Sequence, residues 1–232
     1  MSPPGVARRL LVPALSTLLM LAILIGLGTW QVHRLAWKRG LLAQIAAAEA
    51  AEPVPLPPDP APFAKVNVTG TLSEDRAALY GVEVRDERAG QVLGGQLIVP
   101  LERAGADSVL VDRGWVPAGR IGAIEPPRGV VTLAGYVRPA EHAGLFSARD
   151  DAAGRRFYTL DPQAIGAALG LPLVAPFTLV ELGPTPPAGF PDPARQLPRP
   201  PNDHLQYALT WYGLAVTLLV IFVLYARKVL RP

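Results

Sequence analysis

The chain contains no cysteine. Disulfide scaffolds, thiolate metal sites and cysteine nucleophiles are therefore excluded outright. Methionine occurs only at Met1 and Met20, which all but excludes a copper carrier built on sulfur donors, since soft metals want thiolate or thioether ligands. Histidine is restricted to His33, His142 and His204, and of these only His142 lies in the long middle of the chain. The serines of that middle, Ser73, Ser108 and Ser147, carry no nucleophile-elbow glycines, so a serine–histidine–carboxylate set is poorly supported. A phosphate loop and a dinucleotide fingerprint are also missing, because Gly90, Gly94 and Gly95 precede a strand instead of following one. No enzymatic activity is expected. Charge of one sign is scarce as well: between Lys65 and Glu181 stand 12 basic and 14 acidic residues. The formal charge of +3 comes from cations beside the apolar runs, namely Arg8, Arg9, Arg34, Lys38 and Arg39, then Arg227, Lys228 and Arg231. That distribution suits membrane lipids and not nucleic acid.

Two long uncharged runs are present. One extends from Leu10 to His33, and the other covers residues 205–226, where a helix would reach roughly 33 Å and cross a bilayer core. The first run could serve as a signal peptide. Its length, and the lack of a small-x-small site where Trp30-Gln31-Val32-His33-Arg34 stands, favour a retained helix. Two spans put both termini on one side, and Arg227, Lys228 and Arg231 place that side in the cytoplasm. Arg8 and Arg9 are balanced by Arg34, Lys38 and Arg39, but long loops translocate largely regardless of charge. Those three later cations have two readings, phospholipid contact or an anionic ligand or partner.

Six prolines between Pro53 and Pro62, and eight between Pro184 and Pro201, mark linkers that hold a domain off the membrane. The expected organisation is a cytoplasmic N-terminus (1–9), a first span (10–33), a helical extension (34–51) and a Pro-rich linker (52–62). An external β-rich domain (63–183), a second Pro-rich linker (184–203), a second span (204–226) and a cytoplasmic tail (227–232) follow. Within the domain, strands are expected at 65–70, 96–101, 108–112, 130–137 and 177–180, the second and third forming a hairpin. Asp161 as N-cap, Pro162 at the first helical position and Gly170 as stop signal one helix. The fold class is an α+β membrane protein, two transmembrane helices flanking a mainly antiparallel β domain with one or two helices.

The candidate binding residues lie at the membrane boundaries. His204 opens the second span, with Tyr207 or Ala208 and Trp211 on one helical face at spacings of three, four and seven. On the first helix Gln31, Arg34 and Lys38 form a polar face, and Trp30, Arg34 and Trp37 another. Pairing of the spans would give an axial imidazole, aromatic walls and cations for propionates, which is what a porphyrin requires. The alternative is that His204 caps its helix, or bonds Asn202 or Gln31, and only fixes helix packing. Tyr207 and Trp211 equally suit an interfacial aromatic belt. In the middle domain, Asp112-Arg113-Gly114-Trp115-Val116-Pro117 is the strongest local feature. Its foremost reading is a strand end with Trp115 packed on the core; the other is an exposed Arg113–Gly114–Trp115 partner-binding surface.

Three motifs in order resemble the surfeit-locus assembly-factor family of cytochrome c oxidase. They are Leu27-Gly28-Thr29-Trp30-Gln31-x-x-Arg34-x-x-x-Lys38, Val109-Leu110-Val111-Asp112-Arg113-Gly114-Trp115-Val116-Pro117, and Asn202-Asp203-His204-Leu205-Gln206-Tyr207-Ala208-x-x-Trp211. The resemblance implies a non-enzymatic membrane chaperone of the respiratory chain, with both termini inside and its domain in the periplasm or intermembrane space. It implies oxidase subunit I and haem a synthase as partners, and haem a as a transient ligand whose iron would bind His204. A purely structural scaffold that grips subunit I without haem contact is the alternative. The chain departs from the family at Asp203, at Leu145–Asp151 and at Phe157-Tyr158. Its richness in Ala, Pro, Gly and Arg, with only three lysines, points to a GC-rich bacterial genome and thus an inner membrane.

Overall fold

The computed structural model describes residues 6–87, 90–123 and 129–231. Its elements in chain order are α1 (Val6–Ala50), β1 (Val54–Pro55), β2 (Lys65–Leu72), β3 (Ala78–Glu87), β4 (Gly90–Arg103) and β5 (Ala106–Pro117). They continue with β6 (Val130–Pro139), β7 (Arg156–Phe157), α2 (Pro162–Ala168), β8 (Val174–Glu181) and α3 (His204–Leu230). The chain divides into two compact units, residues Met1–Gln44 with Arg199–Pro232, and residues Ile45–Pro198.

The first unit is a pair of apolar helices. Both α1 and α3 are long and apolar enough to cross a membrane. Few of their large side chains find protein to bury against; Leu11, Val12, Leu15, Leu18 and Leu19 on α1, and Leu209, Val216, Val220 and Ile221 on α3, stay exposed. An apolar surface of that extent requires lipid or a partner. From Arg9 to Ala50 the first helix runs 42 residues without a break, roughly 63 Å, so the expected span and its extension are one rod longer than the hydrocarbon core is thick. α3 continues past residue 226 to Leu230, with Arg227 and Lys228 in its last turn, where cations suit the helix dipole.

The second unit is built on one eight-stranded sheet in the order β1-β2-β6-β8-β5-β4-β3-β7. β2 pairs additionally with β4, through Thr71 with Glu102 and Leu72 with Leu101, so β2, β6, β8, β5 and β4 close on themselves. Most pairings are antiparallel, as expected, but β5 and β8 run parallel in the middle of the sheet. The apolar runs of β4 and β5 do not alternate because both faces are buried. Leu97, Val99, Leu101, Val109 and Val111 enter a core shared with Val66, Val68, Phe177 and Leu179. Ile98 and Leu110 point the other way, under Leu160, Ile165 and Leu169 around α2. The Asp161 carboxylate accepts hydrogen bonds from Gln163 N and Ala164 N, and Gly170 at φ +70° ends the helix.

The Pro-rich segments are not free spacers. Val54 and Pro55 add a parallel strand to β2, Asp192 bridges Trp115, and Ala194 bridges Leu182. Leu197 is buried, and its amide donates to the Glu49 carboxylate at 2.8 Å. The unit thus extends beyond 63–183 at both ends, because the prolines, unable to donate, lie along edges where donors are not needed.

Candidate binding site on the paired apolar helices

Three residues of the first motif hold the helices together, each differently. Gly28 lets α3 approach: a Cβ there would lie 2.7 Å from Cε1 of Tyr212. Thr29 and Tyr212 join their hydroxyls at 3.1 Å. Gln31, buried on α1, places Oε1 2.7 Å from His204 Nδ1 on the first residue of α3. Because positions 28 and 29 meet Tyr212 while 31 meets His204, the helices run antiparallel. Ala208 and Ala215 are buried on the matching face, where small side chains permit the close contact.

The Gln31 bond bears directly on ligand chemistry. With Gln31 Oε1 as the acceptor, His204 Nδ1 carries the proton and donates, which leaves the Nε2 lone pair free. An imidazole oriented by a bond at one nitrogen and open at the other has the arrangement of a metal-binding histidine. His204 is half-buried and not sealed in the helix interface. Of the three alternatives open in the sequence, the imidazole bonds Gln31. Asp203 occupies the N-cap and makes no side-chain capping bond.

The remaining sequence-derived residues separate into two groups. Trp211 is half-buried, one turn past the buried Ala208, whereas Tyr207 is 56% exposed and flanks the packed face. Arg34 is exposed and sits with its guanidinium 4.5 Å above the Trp37 ring, and Lys38 is half-buried a turn further along. Arg34 and Lys38 follow Gln31 by three and seven positions, so they continue its side of α1.

In the sheet domain, Arg113, Gly114 and Trp115 do not form an exposed surface. Trp115 has no accessible surface, its ring lying 5.5 Å from Phe190 and beneath the Arg85 guanidinium at 4.8 Å. Arg113 is spent on two acids, Glu74 at 2.9 Å and Glu181 at 2.5 Å. Burial raises the Glu74 carboxyl above its ordinary value, against the opposing pull of Arg113. Gly114 has φ +109°, and a Cβ there would lie 2.1 Å from the Asp192 carbonyl oxygen. The signature strand therefore clamps the 190–194 segment, with Trp115 and Asp192 exchanging two backbone bonds at 3.0 Å.

Tyr212 lay outside every motif read from the sequence, and Gly28 and Thr29, though within the first motif, had no packing role assigned to them. The signal was the glycine within an apolar helical run, a place for close packing.

The comparisons with known proteins agree with the motifs. Residues 18–216 match the model of the SURF1 family. A SURF1-like protein of Monosiga brevicollis is 33% identical over 223 residues, covering 88% of this chain and 83% of that one. A SURF1-like protein of Rickettsia conorii is 30% identical over 220 residues, covering 89% and 88%. Surfeit locus protein 1 of Homo sapiens is 32% identical over 216 residues, covering 82% and 69%. With a family model that covers residues 18–216, from within the first apolar helix through the signature strand and into the second helix, the chain belongs to the SURF1 family.

Proposed function

We propose that this protein assists cytochrome c oxidase assembly by holding haem a for subunit I, with His204 as the residue that would hold its iron. The SURF1 family is known as a family of oxidase assembly factors, and membership supports the coarse role. One observation carries the finer reading: Gln31 fixes the His204 ring through Nδ1 and leaves Nε2 available. Haem would supply a Lewis-acidic iron, which the free Nε2 of His204 would hold. Trp211 and the exposed Tyr207 offer aromatic walls, and Arg34 and Lys38 offer cations for propionates. Holding and presenting a cofactor requires no bond-making residues, which suits a chain read as non-enzymatic.

The topology follows from the same reading. Both termini lie in the cytoplasm of a bacterium, and the sheet domain lies in the periplasm; a reporter inserted near Gly90 should read periplasmic. Haem a synthase is the natural donor of the cargo.

The His204–Gln31 bond also favours a second reading, a helix clamp in a scaffold that binds subunit I and never touches haem. Protein co-produced with haem a synthesis separates the two. His204→Ala should keep normal membrane levels, lose the haem Soret band and lower the yield of haem-loaded oxidase. Arg34→Ala and Lys38→Ala should weaken retention less, because contacts at a wet boundary are screened. An unchanged haem content in His204→Ala sinks the ligand assignment and leaves the scaffold.

A further inference from the structure

The outer face of the sheet domain carries a cavity of about 330 Å³, within the range of small-ligand sites. Tyr80 and Glu83 of β3, Gln96 of β4, Asp112 of β5, and Tyr136 and Arg138 of β6 line it. Neighbouring strands in the sheet order supply these positions, so the site is built by the strand register and not by one loop. Asp112 stands on the central strand and is 3% exposed. One of its oxygens accepts a hydrogen bond from Gly114 N at 3.0 Å. Among the described residues no donor or cation reaches the other oxygen.

We propose that this cavity binds an organic cation, an ammonium or guanidinium group, with the Asp112 carboxylate as its counterion. The neighbouring cations are already committed. Arg138 donates to Glu141 at 2.6 Å and to the Tyr80 hydroxyl at 3.0 Å, and its guanidinium lies against the Tyr80 ring. Arg85 pairs with Glu83 and Asp192, and Arg113 with Glu74 and Glu181. The acids around these three arginines outnumber them, so Asp112 is a buried carboxylate with no ion-pair partner of its own, held by the Gly114 amide and the more distant field of Arg138. An anion would meet Asp112 and Glu83, and a neutral ligand would leave the charge unpaired. A metal ion is disfavoured because no group of three His, Asp or Glu suited to hold one occurs among the described residues. A cation can also contact the tyrosine faces.

The charged and titratable groups facing Asp112 are Glu83 from β3, Arg138 from β6 and Glu181 from β8, with Tyr80 and Tyr136 beside them. Burial lifts the Asp112 carboxyl to about 6, so binding a cation near that pH should expel about half a proton. The full chain in lipid nanodiscs, titrated calorimetrically with N-acetyl-arginine amide in two buffers of different ionisation enthalpy, gives both affinity and proton release. N-acetyl-citrulline amide, the neutral isostere, is the control, and n-butylammonium represents a free amine. The arginine probe should bind, with the citrulline probe weaker by at least about tenfold. Asp112→Asn should abolish both binding and proton release. Ala194→Trp, which blocks the cavity without altering its charge, should abolish binding too, guarding against misfolding of the first variant. A tighter fit for the arginine probe assigns the site to a side chain of a polypeptide partner, and a tighter fit for butylammonium assigns it to a free amine. Equal binding of the citrulline probe, undiminished binding by folded Asp112→Asn, or no binding of either cation overturns the proposal. The site is independent of His204, so His204→Ala should bind the probe as the wild type does.

Discussion

Replacing Trp115 by alanine tests whether the signature strand serves stability or recognition. Trp115 is fully buried, and three separate groups lean on it: Phe190 at 5.5 Å, the Arg85 guanidinium at 4.8 Å, and the Glu83 carbonyl, which accepts from the indole nitrogen at 3.4 Å. Gly94 lies so close that a Cβ there would sit 2.5 Å from the indole, so the backbone itself forms a wall of the pocket. Truncation should cost about 3–5 kcal/mol, the range for large aromatic core deletions, because a rigid backbone wall cannot collapse into the space. The Phe190 contact accounts for about 0.5–1.5 kcal/mol of that loss. Set against a total stability of about 5–15 kcal/mol for a domain, the variant should unfold far more often and fall several-fold in abundance. Pulse proteolysis of the full chain in micelles measures the stability, and immunoblotting of membranes measures the level. Trp115→Phe, which keeps a ring against Phe190 and loses the indole bond, should be the milder lesion. A loss below about 1 kcal/mol with normal abundance would refute the packing argument. If association with the oxidase vanished at that normal abundance, Trp115 would be an interface residue despite its burial.

Three further outcomes are expected. Burial raises the Asp112 carboxyl from 3.8 to about 6, so the native state keeps a proton that the unfolded state has lost. Its contribution is therefore complete below pH 3.8 and disappears as pH rises through about 6. It amounts to at most about 3 kcal/mol, the rise from 3.8 to about 6 converted at about 1.4 kcal/mol per pH unit. Asp112→Asn should flatten that slope, as denaturation midpoints of variant and wild type at about pH 4.5 and about pH 7.5 would record; parallel slopes would contradict it. Gly28→Leu should push the helices apart at Tyr212 at a cost of about 1–3 kcal/mol. Spin labels on Ser16→Cys and Phe222→Cys, in a chain free of native thiols, should then report a longer separation than in the parent. Asp161→Ala should cost about 1 kcal/mol and speed hydrogen exchange at Gln163 and Ala164, the two amides it caps, while leaving the remote strand β2 protected.

Local signals were legible and long-range ones were not. The sequence alone determined the two membrane-length helices, the hairpin around residues 104–105 and the capped helix at Asp161, because hydrophobic period, turn residues and caps act within a few positions. It did not reveal β3, where Gly81 interrupts the alternation and the outer half is polar, so the strand is held by its pairing with β4. Nor did it reveal that β5 pairs in parallel with β8 across an intervening helix. Which distant strands meet depends on the faces they can bury together, and a strand buried on both faces carries no period to read. The Pro-rich segments read as spacers because composition reports stiffness and not where a stiff segment lies. Only the tertiary structure showed Asp192 locked onto Trp115 through the gap left by Gly114. The same holds at the candidate site. The sequence placed an imidazole at the start of α3 and left capping, packing and ligation open. The antiparallel pairing of two helices brought Gln31, 173 positions away in the chain, to one ring nitrogen and left the other free.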